Sequence, residues 1–215
     1  NFFPDLSKEY YSGYIVNSEK MKAWWYANMD PDDNKPIFVI PHHGEERFRQ
    51  LPWFDYGISP YFYYLGYPGH EKQNCLHLDF LLNASLLNEL RFKMGDNQSY
   101  YKNKPVHGVQ LNIRAPGSWE YCFKPSTKLA VSAALESLII TSYDWAVQDI
   151  LPSDYPYLLR ETDQDSVVAM FDKVKQTFLD QEGQIAAEML AEVRSKTSLK
   201  NSIIPQYLSI EKYFS

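Results

Sequence analysis

The sequence predicts an α/β protein built on a parallel sheet with helices on both faces. Three observations predict it. Short β-branched or aromatic runs such as IFVI (37–40), YFYYL (61–65) and LIITS (138–142) have the length and composition of buried parallel strands. Segments of helical period stand between and behind them, QDSVVAMFDKVKQTFL and QIAAEMLAEVRSKTS most clearly. Strand and helix then alternate in repeated order along 215 residues, 45% of them hydrophobic, which is enough chain to bury a substantial core.

In order, YIV (14–16) reads as a strand, with Asn17 and Ser18 capping a helix over EKMKAWWYANM. The turn DPDDNKP leads into IFVI, which ends at Pro41, His42, His43 and Gly44. Residues 46–60 are irregular and form the expected linker, dividing residues 1–45, a remnant of a preceding domain, from a main domain over 61–198. That domain opens with YFYYLGYPG, a strand entering a turn at Gly66, Pro68 and Gly69, followed by a predicted helix over CLHLDFLLNASLLNELRFKM. A loop is expected over 95–105, and VHGVQLNIR is a strand ending at Arg114. Pro125 suits a first helical turn, Ser126 or Thr127 can cap, and residues 129–135 continue the helix into LIITS. TSYDWAVQDILP supplies a turn and a short helix, YPYLLRETD a last strand, and residues 199–215 a short helix interrupted at Pro205. The layout is Rossmann-like.

Composition narrows the function. The net charge is -6 without a run of like charges, so nucleic acid is not an expected partner. Cys75 and Cys122 share no metal or redox spacing, which fits a reducing, cytoplasmic setting. No apolar run approaches the roughly 20 residues that span a bilayer, and no signal-peptide pattern is present. The opening NFFPDLSKEYY, without a methionine, leaves open that the chain is a fragment with further function upstream.

The chemistry is concentrated at KPSTKL (124–129). A helix that follows a parallel strand presents unpaired amides and a partial positive charge at the carboxyl edge of the sheet. Lys124, Ser126, Thr127 and Lys128 surround such a start, and Arg114 closes the strand before it, a set suited to a diphosphate. The alternative is that the hydroxyls only cap and both lysines are solvated.

The order YIVNSEKMKAWW, IFVIPHHG, YLGYPG, LNIR, KPSTKLAVSAALESLIITS, YDWAVQDILP and RETDQDSVVAMFDKV resembles the second half of a GT-B type glycosyltransferase, one of the large families that use nucleotide-activated sugars. The resemblance implies a chain that binds a nucleotide-diphosphate sugar as donor substrate, with no separate cofactor and no metal, and a glycan or lipid-linked acceptor. It places Lys124, Ser126, Thr127 and Lys128 against the donor diphosphate, with Arg114 nearby. Gly66 and Gly69 would form the glycine turn near the donor, Tyr143, Asp144 and Trp145 would touch sugar or nucleotide, and His42 or His43 would line the cleft. Residues 199–215 would be the helix that returns toward the first domain. Peripheral membrane association through a missing domain and homo-oligomerisation stay open, as does a role in cell-surface polysaccharide synthesis.

Departures qualify that picture. Many retaining members carry two glutamates seven apart around this helix, yet no acid stands near Val131 or Ser132, and Glu120 and Glu136 do not reproduce the spacing. The catalytic residues stay unassigned. For Asp144 and Trp145 a helix cap and a core tryptophan remain equal readings, and the tyrosines over 56–67 suit either a sugar-stacking wall or an interface. The rival in another class is a non-catalytic nucleotide-binding or interaction module on the same fold.

Overall fold

A computed structural model describes residues 12–65, 81, 85–91 and 102–215. Gly66 and Gly69 lie outside the described residues.

The chain begins with a small βαβ unit. Strand β1 (Tyr14–Val16) pairs in parallel with β2 (Ile37–Val39), and helix α1 (Glu19–Asn28) crosses between them. Ser18 starts the helix by accepting the Met21 amide on its hydroxyl at 3.1 Å. A 3₁₀ turn (Glu46–Gln50) and strand β3 (Trp53–Phe54) follow within the segment expected to be a linker. Strand β3 pairs with β6 (Lys104–Pro105), so a strand stands where a loop was expected over 95–105.

The main sheet has five parallel strands in the order β5–β4–β7–β8–β9. They are β4 (Tyr61–Leu65), β5 (Glu89–Arg91), β7 (Gly108–Asn112), β8 (Leu138–Ser142) and β9 (Leu158–Leu159). Strand β5 corrects the expected continuous helix over 75–94, because the run ELR pairs beside β4 with Leu90 opposite Tyr64. Leucine-rich text of helical period reads alike whether it continues as helix or turns into an edge strand, and the partner strand decides. The last strand is shorter than YPYLLRETD suggested, because only two residues meet β8.

Helices α2 (Trp119–Phe123) and α3 (Thr127–Ala134) connect β7 to β8, and α4 (Trp145–Gln148) connects β8 to β9. Helices α5 (Gln164–Thr177) and α6 (Gln181–Lys196) follow. Phe171 of α5 is fully buried with its ring 4.5 Å from Phe62 of β4, and Leu129 of α3 is equally buried among Val109, Leu111 and Ile139. Emptying either site costs about 2–5 kcal/mol, a large share of a domain's stability.

A π-helical turn (Leu199–Ile203) leads into α7 (Ile204–Phe214), with Pro205 in its first turn, where a missing N–H costs nothing. Tyr213 and Phe214 of α7 place their rings 5.5 and 6.0 Å from Phe38 of β2. The chain's last helix therefore packs on its first βαβ unit. No helix among the described residues is long and apolar enough to cross a membrane.

Candidate functional site

The strand order reverses between β4 and β7, since β5 lies on one side of β4 while β7, β8 and β9 continue on the other. In open parallel sheets the carboxyl edge beside such a reversal is where ligands bind. Helix α3 begins there. Ser126 occupies its N-cap position and is buried, but its side chain makes no capping hydrogen bond, so no hydroxyl of this residue covers the amides of the first turn. The helix starts at Thr127, so Ser126, one of the two residues expected to cap, takes the N-cap position, and Pro125 lies before the first turn and not in it.

Lys128, in the first turn, reaches across the reversal to β4. Its Nζ donates to Tyr64 Oη at 3.2 Å and lies 4.5 Å from the centre of that ring. A cation is thereby held at the carboxyl end of β4 by one of the tyrosines over 56–67. Lys124 and Thr127 are half-buried on either side of Pro125 and Ser126.

Arg114 is placed differently from the lysines. Its guanidinium is turned into the protein, where Nη1 donates to Asp144 Oδ2 at 2.9 Å, to the Lys124 carbonyl at 3.0 Å and to the Glu120 carbonyl at 3.3 Å. Nη2 donates to the Pro125 carbonyl at 2.8 Å. One buried cation thus gathers the carbonyls of the loop that delivers the helix tip. Asp144 is fully buried, and its Oδ1 accepts the Val147 amide at 3.0 Å, capping α4. Burial pushes its carboxyl above the ordinary range, and the Arg114 charge pulls against that. Arg114 and Asp144 form a brace behind the tip.

Tyr143 and Trp145 join the same loop. The Tyr143 carbonyl accepts from Tyr121 Oη at 2.6 Å and from Gln148 Nε2 at 2.7 Å. The Trp145 ring stands edge-on to Phe123 at 5.5 Å, and Phe123 meets Trp24 of α1 at 4.9 Å. These aromatics tie the βαβ unit to the loop, and Asn17 adds a hydrogen bond from Nδ2 to the Phe123 carbonyl at 3.0 Å.

Between that unit, the π-helical turn and α7 lies a cavity of about 430 Å³, walled by Asn17, His42, His43, Pro125, Leu199 and Tyr207 among others. Pro125 brings the segment before α3 to this cavity. The two imidazoles stack with ring centres 5.1 Å apart, and His42 Nδ1 lies 2.9 Å from the His43 carbonyl. Burial, chiefly, holds His42 below the ordinary histidine range. Asn17 Oδ1, on the same wall, is buried without a hydrogen-bond partner. Among the described residues no cluster of three or more His, Cys, Asp or Glu could hold a metal ion.

The structure thus brings Lys124, Ser126, Thr127 and Lys128 to one helix tip, sets Arg114 with Asp144 behind it, and puts His42 and His43 across a cavity from Pro125. Asn17 and Tyr121 were missed because their partners lie 106 and 22 residues away in the chain, and Tyr64 stood out only as one of the tyrosines over 56–67. Only the position of Asn17 at a strand end was a signal.

By sequence, no family profile and no curated protein matches the chain. By structure, it is similar to a glycosyltransferase from Rickettsia africae, with a TM-score of 0.60 and 14% identity over 98% of this chain and 67% of that one. It is similar to the Anabaena protein HepE solved in complex with UDP and glucose, at a TM-score of 0.59 and 8% identity, covering 97% of this chain and 64% of that one. Sucrose-phosphate synthase from Thermosynechococcus elongatus aligns at a TM-score of 0.52 and 10% identity over 93% and 57% of the respective chains. The chain therefore has the GT-B type glycosyltransferase fold and spans about two thirds or less of the length of these neighbours.

Proposed function

We propose that this chain is the donor-binding part of a glycosyltransferase that moves a sugar from a nucleotide-diphosphate donor to a glycan or similar acceptor. The observation that carries the reading is the α3 tip, uncapped by Ser126 and set at the strand reversal with Lys128 anchored on Tyr64. As the bond from the sugar's anomeric carbon to the donor oxygen breaks, the electron pair leaves with the diphosphate and negative charge grows there. Lys128, Lys124, Thr127 and the first-turn amides are the groups suited to receive that charge. Arg114 acts as a positioning residue that holds the Lys124 and Pro125 carbonyls in place.

His42, whose imidazole burial holds below the ordinary histidine range, suits an acceptor or sugar hydroxyl better than a phosphate. The fold supports this reading, and so does the fact that one structural neighbour was solved with UDP and glucose. Such an enzyme would work in the cytoplasm on a precursor of a surface glycan.

A second reading, a module that binds nucleotide without turnover, is favoured by one observation. Val131 and Ser132, near which many retaining members carry an acid, are both buried and carry no carboxylate.

Calorimetric titration with UDP, GDP and related diphosphates tests both. At least one base should bind selectively, and Lys128→Ala should weaken it at least about tenfold, the worth of one charge-assisted hydrogen bond. In an enzyme that includes the acceptor side, the same change should slow turnover about a hundredfold or more. Binding of no diphosphate, or unchanged binding by Lys128→Ala, would end the assignment.

A further inference from the structure

At the opposite end of α3 from its N-terminal tip, the segment after β2 crosses the segment after α6. Gly44 donates its amide to the Thr197 carbonyl at 3.0 Å and forms a parallel bridge with Ser198. Beside this crossing lies a polar cavity of about 660 Å³, in the size range of small-molecule sites. Its wall includes Arg49, Gln50, Glu136, Arg194, Ser195 and Asn201.

Glu136 is the centre of that wall and is held in a conformation rare for its type. Helix α3 ends in a Schellman arrangement, with the Ser137 amide donating to the Ser132 carbonyl and the Glu136 amide to the Ala133 carbonyl. The left-handed position in that motif is usually glycine, yet Glu136 fills it at φ 58°. Strain of this kind calls for a reason.

The charges around Glu136 do not balance. Its Oε2 accepts Lys104 Nζ at 2.8 Å, and that lysine is almost completely buried, donating also to the Arg49 carbonyl at 2.9 Å. Lys104 therefore neutralises Glu136 from behind the cavity wall. From the cavity side, Arg49 Nε at 3.7 Å and Arg194 Nη1 at 3.2 Å both approach the one remaining oxygen, Oε1. A guanidinium carries five N–H donors in a planar fork, so most of the donors on these two residues are not spent on Glu136. Glu46, the other carboxylate on the wall, accepts the Ser198 hydroxyl at 2.8 Å. Two guanidiniums facing a cavity whose central carboxylate is already neutralised make an oxyanion site, and Gln50, Ser195 and Asn201 add hydroxyl and amide groups suited to a polyol.

We propose that this cavity binds a small phosphorylated polyol, its phosphate held between Arg49 and Arg194 and its hydroxyls by Gln50, Ser195 and Asn201. Such a ligand bridges the segment after β2 to the end of α6 and so fixes the angle at which the two cross. The proposal stands apart from the donor reading, since it uses neither Lys128 nor the α3 tip.

The test is calorimetric titration of the purified chain with a hexose 6-phosphate, with inorganic phosphate and with the uncharged hexose. The hexose phosphate should bind, phosphate should compete with it more weakly, and the hexose should give no signal. Arg49→Gln, a change at a largely exposed side chain, should weaken binding about tenfold or more, the worth of a lost charge-assisted hydrogen bond. Glu136→Gln should tighten it severalfold by removing the competing carboxylate, an effect that a purely structural ion cluster would not produce. Lys128→Ala should leave it unchanged. Absence of hexose phosphate binding at millimolar concentration, equal binding of the uncharged hexose, indifference to Arg49→Gln, or loss in Lys128→Ala would each overturn the proposal.

Discussion

Replacing Arg114 by methionine removes the cation that organises the helix tip while keeping a side chain of similar length. Four hydrogen bonds go with it, three to carbonyls of α2 and the loop after it and one to Asp144. Asp144 is then a carboxylate with no exposure and no counter-charge, and breaking a buried pair in this way costs about 3–5 kcal/mol. With an m-value of about 2 kcal/mol/M, a loss of about 4 kcal/mol moves the urea midpoint down by about 2 M, which equilibrium unfolding reads directly. The loss has a sign in pH. Without Arg114 the Asp144 carboxyl rises further above its unfolded value of 3.8, and a raised group contributes stability that is full below that value and is lost as pH rises through its folded pKa. The deficit of the variant should therefore be smallest near pH 4 and widen toward neutrality. Asp144→Asn, added to Arg114→Met, should recover part of it, because no bare charge is left. A deficit below about 1 kcal/mol, or one that does not change with pH, would refute the claim that this pair braces the tip.

Two further outcomes concern the crossing. Glu136 lies below its ordinary value of 4.5, first through the Lys104 hydrogen bond and then through the surrounding cations, so its stabilisation is present above that value and disappears as pH falls through its folded pKa. Glu136→Gln should cost on the order of 1 kcal/mol at neutral pH and nothing in acid, giving a shallower acid limb in thermal melts. Gly44→Ala would place a methyl group 2.5 Å from the Ala130 carbonyl oxygen, a backbone atom that cannot swing aside. It should lower stability by about 1–3 kcal/mol in urea titration, and an unchanged midpoint would mean that the two segments are not pressed together there.

The fold was legible where a segment carries its own signal. β-branched LIITS and the periodic text of α5 and α6 bury the same residues that their patterns select, as Ile139, Ile140, Phe171 and Val193 do. The run ELR was misread because leucines at helical spacing also suit a strand once β4 offers a partner. At the site, KPSTKL announced a helix start with cations in the sequence, and the structure sets that start at the strand reversal. Nothing local separated Arg114 from Lys124 and Lys128, although one is turned inward against a buried acid and Lys128 lies on a tyrosine of another strand.

The sequence by itself determined the alternation of strands and helices, the apolar faces that form the core, and the helix start where cations and amides gather. These follow from local spacing and propensity, which act over a few residues. Only the tertiary structure decided which charges face a cavity and which face each other. Arg114 meets Asp144 across 30 residues, and Glu136 meets Arg194 across 58 and Arg49 from the segment after β2. Electrostatic energy depends on distance and burial in space, and neither is written in the order of the residues.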